Sequence, residues 1–172
     1  MATELDVDDV CRELYPRLVG ALGLFCGDGA MGEDLAQEAL VRLWERWPTS
    51  RRPEHPMAWC YRVGVNLARS AARRRGLEQR LLRRIEAGTQ GDDRNEALTR
   101  ALPVRDAVVA LPRRQRQAIV ARHFLSLSVE ETALAMGCAP GTVTALTHQG
   151  VASLRRSDLL AGQDTYEEVE HG

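Results

Sequence analysis

Residues 128–143 read SVEETALAMGCAPGTV and contain the start and stop signals of two consecutive helices. Ser128 and Glu131 form a capping box, because the hydroxyl accepts from the backbone three residues on while the carboxylate reaches back. Gly137 supplies the left-handed residue that ends a helix, and Pro140 is tolerated in the first turn of the next one. The stretch therefore predicts a helix-turn-helix.

Each helix of this motif has an apolar and a polar face. The first helix packs inward through Val129, Ala133 and Met136, and the second through Val143, Thr147, Val151 and Leu154. The outward side chains of the second helix are Thr142, Thr144, Ala145, His148 and Gln149. In DNA-binding motifs of this kind the outward N-terminal half of the second helix enters the major groove. An ordinary helix pair in a bundle is the alternative.

Charge is unevenly distributed along the 172 residues, although the formal net charge is only -1. Residues 57–85 hold eight arginines against the single acid Glu78, and residues 113–156 hold six against Glu130 and Glu131. Because a polyanion responds to local patches, two basic blocks suit a nucleic-acid partner. The tail at 157–172 is acidic, and we expect an unstructured end there, with a regulatory flap over the basic face as the alternative.

Apolar residues recur at helical spacing along most of the chain, without a convincing alternating strand. This pattern predicts an all-α protein of two small helical domains, at 8–85 and 101–156. A polar, glycine-rich linker at 86–100 joins them, and the tail occupies 157–172. Helices are expected at about 8–25, ended by the Gly27–Gly29 turn, and at 31–47, ended by Pro48. A third is expected at about 57–75, with an extension into the 80s left open.

Several functional classes are excluded by what the sequence lacks. The acidic N-terminus does not resemble a secretory signal, and no apolar run is long enough to span a membrane, so we expect a cytoplasmic protein. The scattered cysteines and histidines lack zinc-site spacing. Without a catalytic triad or nucleotide-binding loop, neither an enzyme nor a cofactor is expected.

The helix expected at 57–75 carries a basic stripe. Trp59, Val63, Leu67 and Ala71 are spaced to face the core. The opposite side carries Arg62, Asn66, Arg69 and Arg73, and Arg74 follows. Arginine binds phosphates and an asparagine amide can bond a base edge, so this side suits a DNA strand. A solvated arginine-rich face is the alternative.

The helix expected at 31–47 is amphipathic. Its apolar stripe comprises Leu35, Ala36, Ala39, Leu40, Leu43 and Trp44. Its polar side carries Asp34, Gln37, Glu38, Val41, Arg42 and Glu45. Such a face suits the binding of a basic protein partner. A solvated face without a partner is the alternative.

Three stretches resemble one known family. The run LPRRQRQAIVARHFLSLSVEETALAMGCAPGTV, at 111–143, is similar to region four of the sigma-seventy superfamily, which reads the minus-thirty-five promoter element. GEDLAQEALVRLWERW and AWCYRVGVNLARSAARRR, at 32–47 and 58–75, resemble the polymerase-docking and minus-ten helices of region two. No other sigma regions fit in this length, which indicates the extracytoplasmic-function group.

The resemblance implies a promoter-recognition subunit whose partners are core RNA polymerase, at its clamp and flap, and promoter DNA. Whether an anti-sigma protein also binds this chain is left open. Core polymerase would contact Asp34, Gln37, Glu38, Val41 and Arg42. The minus-ten element would contact Arg51, Arg52, His55, Arg62, Asn66, Arg69, Arg73 and Arg74. The minus-thirty-five element would contact Arg114, Arg116, Thr142, Thr144, Ala145, His148, Gln149 and Arg155.

The recognition helix departs from the family pattern. Thr144 stands where lysine is usual, Gln149 where arginine is usual, and Ala139 replaces the usual capping serine. We therefore expect weak or altered reading of the minus-thirty-five element. Two other interpretations remain, a helix-turn-helix regulator with an unrelated first domain and a sigma-like adaptor that binds polymerase but reads DNA poorly.

Overall fold

The computed structural model describes residues 6–48, 51–85 and 103–167, with side chains described as far as residue 77 in the second range and at 104–157 in the third. Every regular element in these ranges is helical, which confirms the all-α prediction. The elements are α1 (Val7–Cys26), α2 (Gly29–Arg46), α3 (Pro56–Ile85), α4 (Pro103–Ala110), α5 (Arg113–Ile119), a π-helical turn (Val120–Phe124), α6 (Val129–Met136) and α7 (Pro140–Glu167). The expected linker, 86–100, lies outside the described residues.

Helices α1–α3 form the N-terminal half, and local signals set the turn between its first two helices. Gly27 ends α1 with a φ of 75°, and Asp28 then caps α2 by accepting from the backbone N–H of Met31 at 3.1 Å. Further along, α1 and α2 cross where Gly23 meets Gly32. A Cβ on Gly32 would lie 2.4 Å from the Gly23 nitrogen, so the crossing requires glycine.

Helices α4–α7 form the C-terminal half and contain the predicted helix-turn-helix. The capping box is confirmed, since Ser128 Oγ accepts from the Glu131 backbone at 3.0 Å and Glu131 Oε2 accepts from the Ser128 backbone at 2.7 Å. Gly137 adopts a φ of 63°, and α7 begins at Pro140 as expected. Ala133 and Met136 of α6 pack with Val143 of α7, also as expected.

Helix α7 is longer than the sequence indicated. It continues to Glu167, so the expectation of an unstructured end beginning at residue 157 is wrong for residues 157–167. No proline or glycine interrupts the chain between Gly150 and Gly162. Extending an existing helix adds one hydrogen bond for each residue fixed, which favours continuation.

The buried face of α3 also differs from the prediction. The fully buried side chains include Cys60, Tyr61, Val65 and Ala68, whereas the predicted core residues Trp59, Val63, Leu67 and Ala71 are only partly buried. A single amphipathic stripe assumes that one side of a helix is covered. Here α3 is contacted by α1 and α2 on one side and by the C-terminal half on another, so the buried stripe is rotated.

The two halves share one hydrophobic core, a packing that the sequence did not predict. At least five hydrogen bonds join the two halves within the described residues, and three of them involve Arg17, Arg116 and Tyr61. Arg17 donates to the Leu125 carbonyl at 2.6 Å, Arg116 to the Phe25 carbonyl at 2.8 Å, and the Tyr61 hydroxyl to the Gln117 carbonyl at 3.2 Å. We call this packed arrangement the closed form.

Candidate DNA and polymerase interfaces

The basic side of α3 is arranged largely as its spacing predicts. Arg62, Asn66, Arg73 and Arg74 are exposed, and Arg69 is half-buried. Their spacing of three or four residues places the Asn66 amide between guanidinium groups along one side of the helix. The side chains are therefore positioned to follow a nucleic-acid backbone, with one amide among them that can bond a base edge.

Two of these arginines contact the C-terminal half in the closed form. Arg69 Nη2 donates to Gln117 Oε1 at 2.6 Å, and Arg62 Nη1 donates to the Leu134 carbonyl at 3.4 Å. Gln117 is only 1% exposed, so its amide oxygen is a buried acceptor. Burial lowers the pKa of Arg69, and the positive charges of Arg114 and Arg113 lower it further.

The side chains of the loop before α3 that are predicted to contact DNA point in different directions. The Arg52 guanidinium lies over the Trp47 ring, 3.8 Å from its centroid, and both Arg51 and Arg52 are exposed. His55 Nδ1 instead lies 3.1 Å from Glu131 Oε1 in the capping box of α6. The closed form thus directs His55 toward the C-terminal half, while Arg52 stays beside an aromatic ring.

The outer face of α2 presents the predicted docking residues. Asp34, Gln37, Glu38, Val41 and Arg42 are all exposed. Arg42 Nη2 and Glu38 Oε1 form an ion pair at 3.0 Å across one helical turn.

Trp44 corrects one prediction on this helix. It was expected in the buried stripe, but it is 57% exposed, and Val41 one turn earlier is 52% exposed. Leu43 is fully buried, whereas Trp44 lies at the edge of the stripe and is not among the described side chains that pack in the core. The outer face of α2 is therefore mixed, with acidic groups beside two large apolar side chains. A face that combines large apolar side chains with charged ones is better suited to binding a protein partner than a face that is only charged.

The recognition helix, the N-terminal part of α7, exposes the expected side chains. Thr142, Thr144, Ala145, His148 and Gln149 all reach solvent, as does Arg155 further along. Thr144 Oγ1 donates to the Pro140 carbonyl at 3.2 Å, and Gln149 Oε1 accepts from Gln115 Nε2 at 3.4 Å. The surface that would face a major groove therefore has no arginine before Arg155.

Arg114 and Arg116, both on α5, have different environments. Arg114 is exposed, but Arg116 is partly buried and donates to the carbonyls of Phe25, Val109 and Leu111. Backbone carbonyls engage the Arg116 guanidinium in the closed form, and the assignment of Arg116 to a phosphate contact stays a prediction. Burial, and next the charge of Arg113, lower the pKa of Arg116.

Known proteins match both halves. Residues 10–78 match the family Sigma-70 region 2, and residues 101–154 match the family Sigma-70, region 4. The chain is 30% identical over 155 residues to the RNA polymerase sigma-E factor of Streptomyces coelicolor, covering 90% of this chain and 87% of the relative. It is also 30% identical over 153 residues to the ECF RNA polymerase sigma factor SigL of Mycobacterium tuberculosis, covering 84% and 86%.

The chain belongs to the extracytoplasmic-function group of the sigma-70 family. The resemblance inferred from the residues is thereby confirmed. A solved structure agrees in fold: the sigma factor RpoE of Bartonella quintana, determined in complex with the anti-sigma factor NepR, superposes with a TM-score of 0.70. It is 21% identical to this sigma factor and covers 87% of this chain and 94% of its own.

As a sigma factor, the protein is a promoter-recognition subunit of RNA polymerase, and its partners are core polymerase and promoter DNA. Its N-terminal half is region 2 and its C-terminal half is region 4. Within the described residues, no helix is both long and apolar enough to span a membrane. No group of histidine, cysteine and acidic side chains suited to a metal ion occurs in those residues either.

Two residues of these surfaces were missed from the sequence. Trp44 carried an available signal, since it stands one turn after the outward-facing Val41. Gln117 carried none, because its role depends on Arg69, which is 48 residues earlier in the chain and reaches it only through the packing of the two halves.

Proposed function

We propose that this sigma factor divides promoter recognition among three surfaces. The outer face of α2 docks on the polymerase clamp through Asp34, Gln37, Glu38, Val41 and Arg42, with Trp44 added. The basic side of α3 binds the minus-ten element through Arg62, Asn66, Arg69, Arg73 and Arg74. The N-terminal part of α7 faces the minus-thirty-five element through Thr142, Thr144, Ala145, His148 and Gln149.

The observation that carries this proposal is the exposed Asn66 within the arginine side of α3. The arginines bind phosphates whatever the sequence, and they gain from the counterions released. Asn66 can form hydrogen bonds to a base edge and so supplies sequence preference. Arg51, Arg52 and His55 stand in the loop before α3, where a base flipped from the stack would be held. Flipping costs a few kcal/mol, which stacking against a side chain such as Trp47 would offset.

Region 4 contributes less sequence information than region 2 in this proposal. The recognition helix offers hydroxyl, imidazole and amide groups but no arginine before Arg155. Arg113, Arg114 and Arg155 then attract phosphates without reading bases. Arg116 joins them only if the closed form opens and releases its guanidinium.

A second candidate function is a sigma-like adaptor that binds polymerase but selects promoters poorly, and it is favoured by the uncharged Thr144 and Gln149. Both functions place the protein in the cytoplasm with the polymerase, without catalysis of its own. An anti-sigma protein is a further proposed partner, by analogy with the Bartonella quintana complex.

Transcription of genomic DNA by core polymerase, with mapping of transcript 5′ ends, tests the proposal. A promoter-selecting factor yields defined start sites only when it is added. Asn66→Ala should abolish those start sites while polymerase binding persists. Gln37→Ala tests the docking face separately, because it should weaken polymerase binding and leave DNA binding intact. An adaptor would bind polymerase without producing defined starts, and failure to bind polymerase would refute both functions.

A further inference from the structure

A cavity of about 640 Å³ lies where the end of α1, the start of α2 and the helices α3, α4 and α5 come together. Its charged lining consists of four arginines and two aspartates: Arg75, Arg105, Arg113, Arg116, Asp28 and Asp106. We propose that this cavity binds a small organic molecule with two or more phosphate groups, of the nucleoside diphosphate class. The proposal goes beyond promoter recognition, because the residues proposed for the docking face of α2 and for the basic side of α3 do not line the cavity.

The first step of the argument is that the positive charge of the lining is not neutralised. Within the described residues, no ion pair joins any of these four arginines to a carboxylate. Burial lowers the pKa of Arg116, and the nearby charge of Arg113 lowers it further, which indicates repulsion between the two groups. A bound anion would offset this repulsion, so the lining favours a negatively charged ligand.

The second step is that the charges converge on one part of the cavity, beside Cys26. Burial raises the pKa of the Cys26 thiol, and the charges of Arg113, Arg116 and Arg75 act on it in the opposite direction. These groups come from α3 and α5 and yet affect the same sulfur atom. Arg116 contributes its charge, because backbone carbonyls already accept from its guanidinium. The other two can approach neighbouring phosphate groups of one ligand.

The third step is that three of the guanidinium groups have donors available to a ligand. Arg105 is half-buried, and no hydrogen bond or ion pair joins it to another described residue. Arg75 Nη2 donates to the Met31 sulfur at 3.6 Å, and a thioether is a weak acceptor. The Arg113 guanidinium lies over the Phe25 ring, 5.7 Å from its centroid, which leaves its N–H edge for another partner. Phosphate oxygens are among the strongest acceptors for such donors.

The fourth step is that the cavity is larger than its phosphate-binding part requires. Its volume falls in the range of roughly 300–1,000 Å³ that is usual for small-molecule sites, and a diphosphate group alone would fill only a small part of it. The half-buried side chains of Met31, Ala72 and Val109 give it apolar walls. The exposed Asp106 can accept a hydrogen bond from a hydroxyl or amino group. A nucleoside diphosphate combines the groups that match this lining.

Isothermal titration calorimetry of the full chain tests the proposal. The probes are ADP, GDP, CDP and UDP in separate titrations, and inorganic pyrophosphate, which has the two phosphates alone. A salt concentration of about 0.15 M screens weak attraction to exposed arginines. We expect at least one nucleoside diphosphate to bind saturably and about tenfold more tightly than pyrophosphate, because the apolar walls add a contact that pyrophosphate lacks.

Three variants separate a specific site from general attraction to positive charge. Arg105→Gln should weaken binding of that nucleotide about tenfold without lowering the melting temperature, because one charged hydrogen bond is lost. Arg12→Gln is the matched control, since it removes the same charge from an exposed position on α1, about 21 Å along the helix from Cys26, and should bind like the wild type. Ala72→Leu narrows the cavity without changing its charge and should weaken nucleotide binding more than pyrophosphate binding.

Alkylation of the cysteines with iodoacetamide, measured by mass spectrometry, locates the bound nucleotide. It should slow the modification of Cys26 and leave that of Cys138, at the turn between α6 and α7, unchanged. The proposal is overturned if none of the nucleoside diphosphates binds, if pyrophosphate binds as tightly, or if Arg105→Gln and Arg12→Gln have equal effects. Equal protection of both cysteines would also overturn it. None of these outcomes bears on promoter recognition, which the transcription assay tests.

Discussion

Replacing Gln117 by methionine should release α3 from region 4. Gln117 Oε1 accepts the Arg69 guanidinium at 2.6 Å, while the Gln117 main-chain carbonyl accepts the Tyr61 hydroxyl. Methionine keeps the length of the buried side chain and removes the amide group, including the oxygen that accepts from Arg69. The bond to Tyr61 and the fold of α5 should persist, so the change is directed at the interface between the halves.

The expected magnitude follows from the environment of Arg69. A hydrogen bond to a charged group contributes about 1.5–3 kcal/mol when it is well buried. Arg69 is only half-buried, so water replaces part of what is lost and the lower end, about 1.5 kcal/mol, applies. Since about 1.4 kcal/mol corresponds to a tenfold change in an equilibrium constant, DNA affinity should rise up to about tenfold.

Fluorescence anisotropy with single-stranded DNA measures this change, and scattering reports the opening. Gln115→Met is the control, because Gln115 lies on the same helix and its amide bonds to Gln149 within region 4. The reasoning is refuted if Gln117→Met binds DNA no more tightly than Gln115→Met.

Four other variants test separate parts of the structure. Arg116→Gln leaves the carbonyls of Phe25, Val109 and Leu111 without their donor, so the free energy of unfolding in urea should fall by about 2 kcal/mol; an unchanged midpoint would contradict this role. Thr132→Val removes a buried hydroxyl that has no partner among the described residues and should stabilise the protein by about 1 kcal/mol in the same titration. Trp44→Ala should weaken core polymerase binding about tenfold in a pull-down titration without lowering the melting temperature, because the ring is mostly exposed. Thr144→Lys should raise promoter affinity and steepen its salt dependence by about one phosphate contact, and no change in either would tell against a groove-facing Thr144.

Local features of the sequence predicted the local structure well. The capping box at Ser128, the left-handed turn at Gly137 and the start of α7 at Pro140 depend on residues within a few positions of each other, and all three are confirmed. The solvent exposure of the polar side of α2 was also predicted correctly. Short-range hydrogen bonding and helical spacing are enough to determine such features.

Features that depend on packing between the halves were not predictable. The buried side of α3 is determined by contacts on two of its sides, so the prediction of a single buried stripe beginning at Trp59 was wrong. Arg116 looked like a phosphate contact, but its acceptor at Phe25 lies 91 residues earlier in the chain. Nothing in the spacing of either segment indicates that these two groups meet.

The π-helical turn at Val120–Phe124 determines how Phe124 is aimed. The Leu125 backbone N–H bonds to the Val120 carbonyl five residues back, one residue more than an α-helical turn holds. Because each residue of a helix rotates the next by about 100°, removing one residue from this turn would swing the ring away from Gly20. The number of residues in this single helical turn therefore determines whether the Phe124 ring packs on Gly20 of α1, which is one of the contacts between regions 2 and 4.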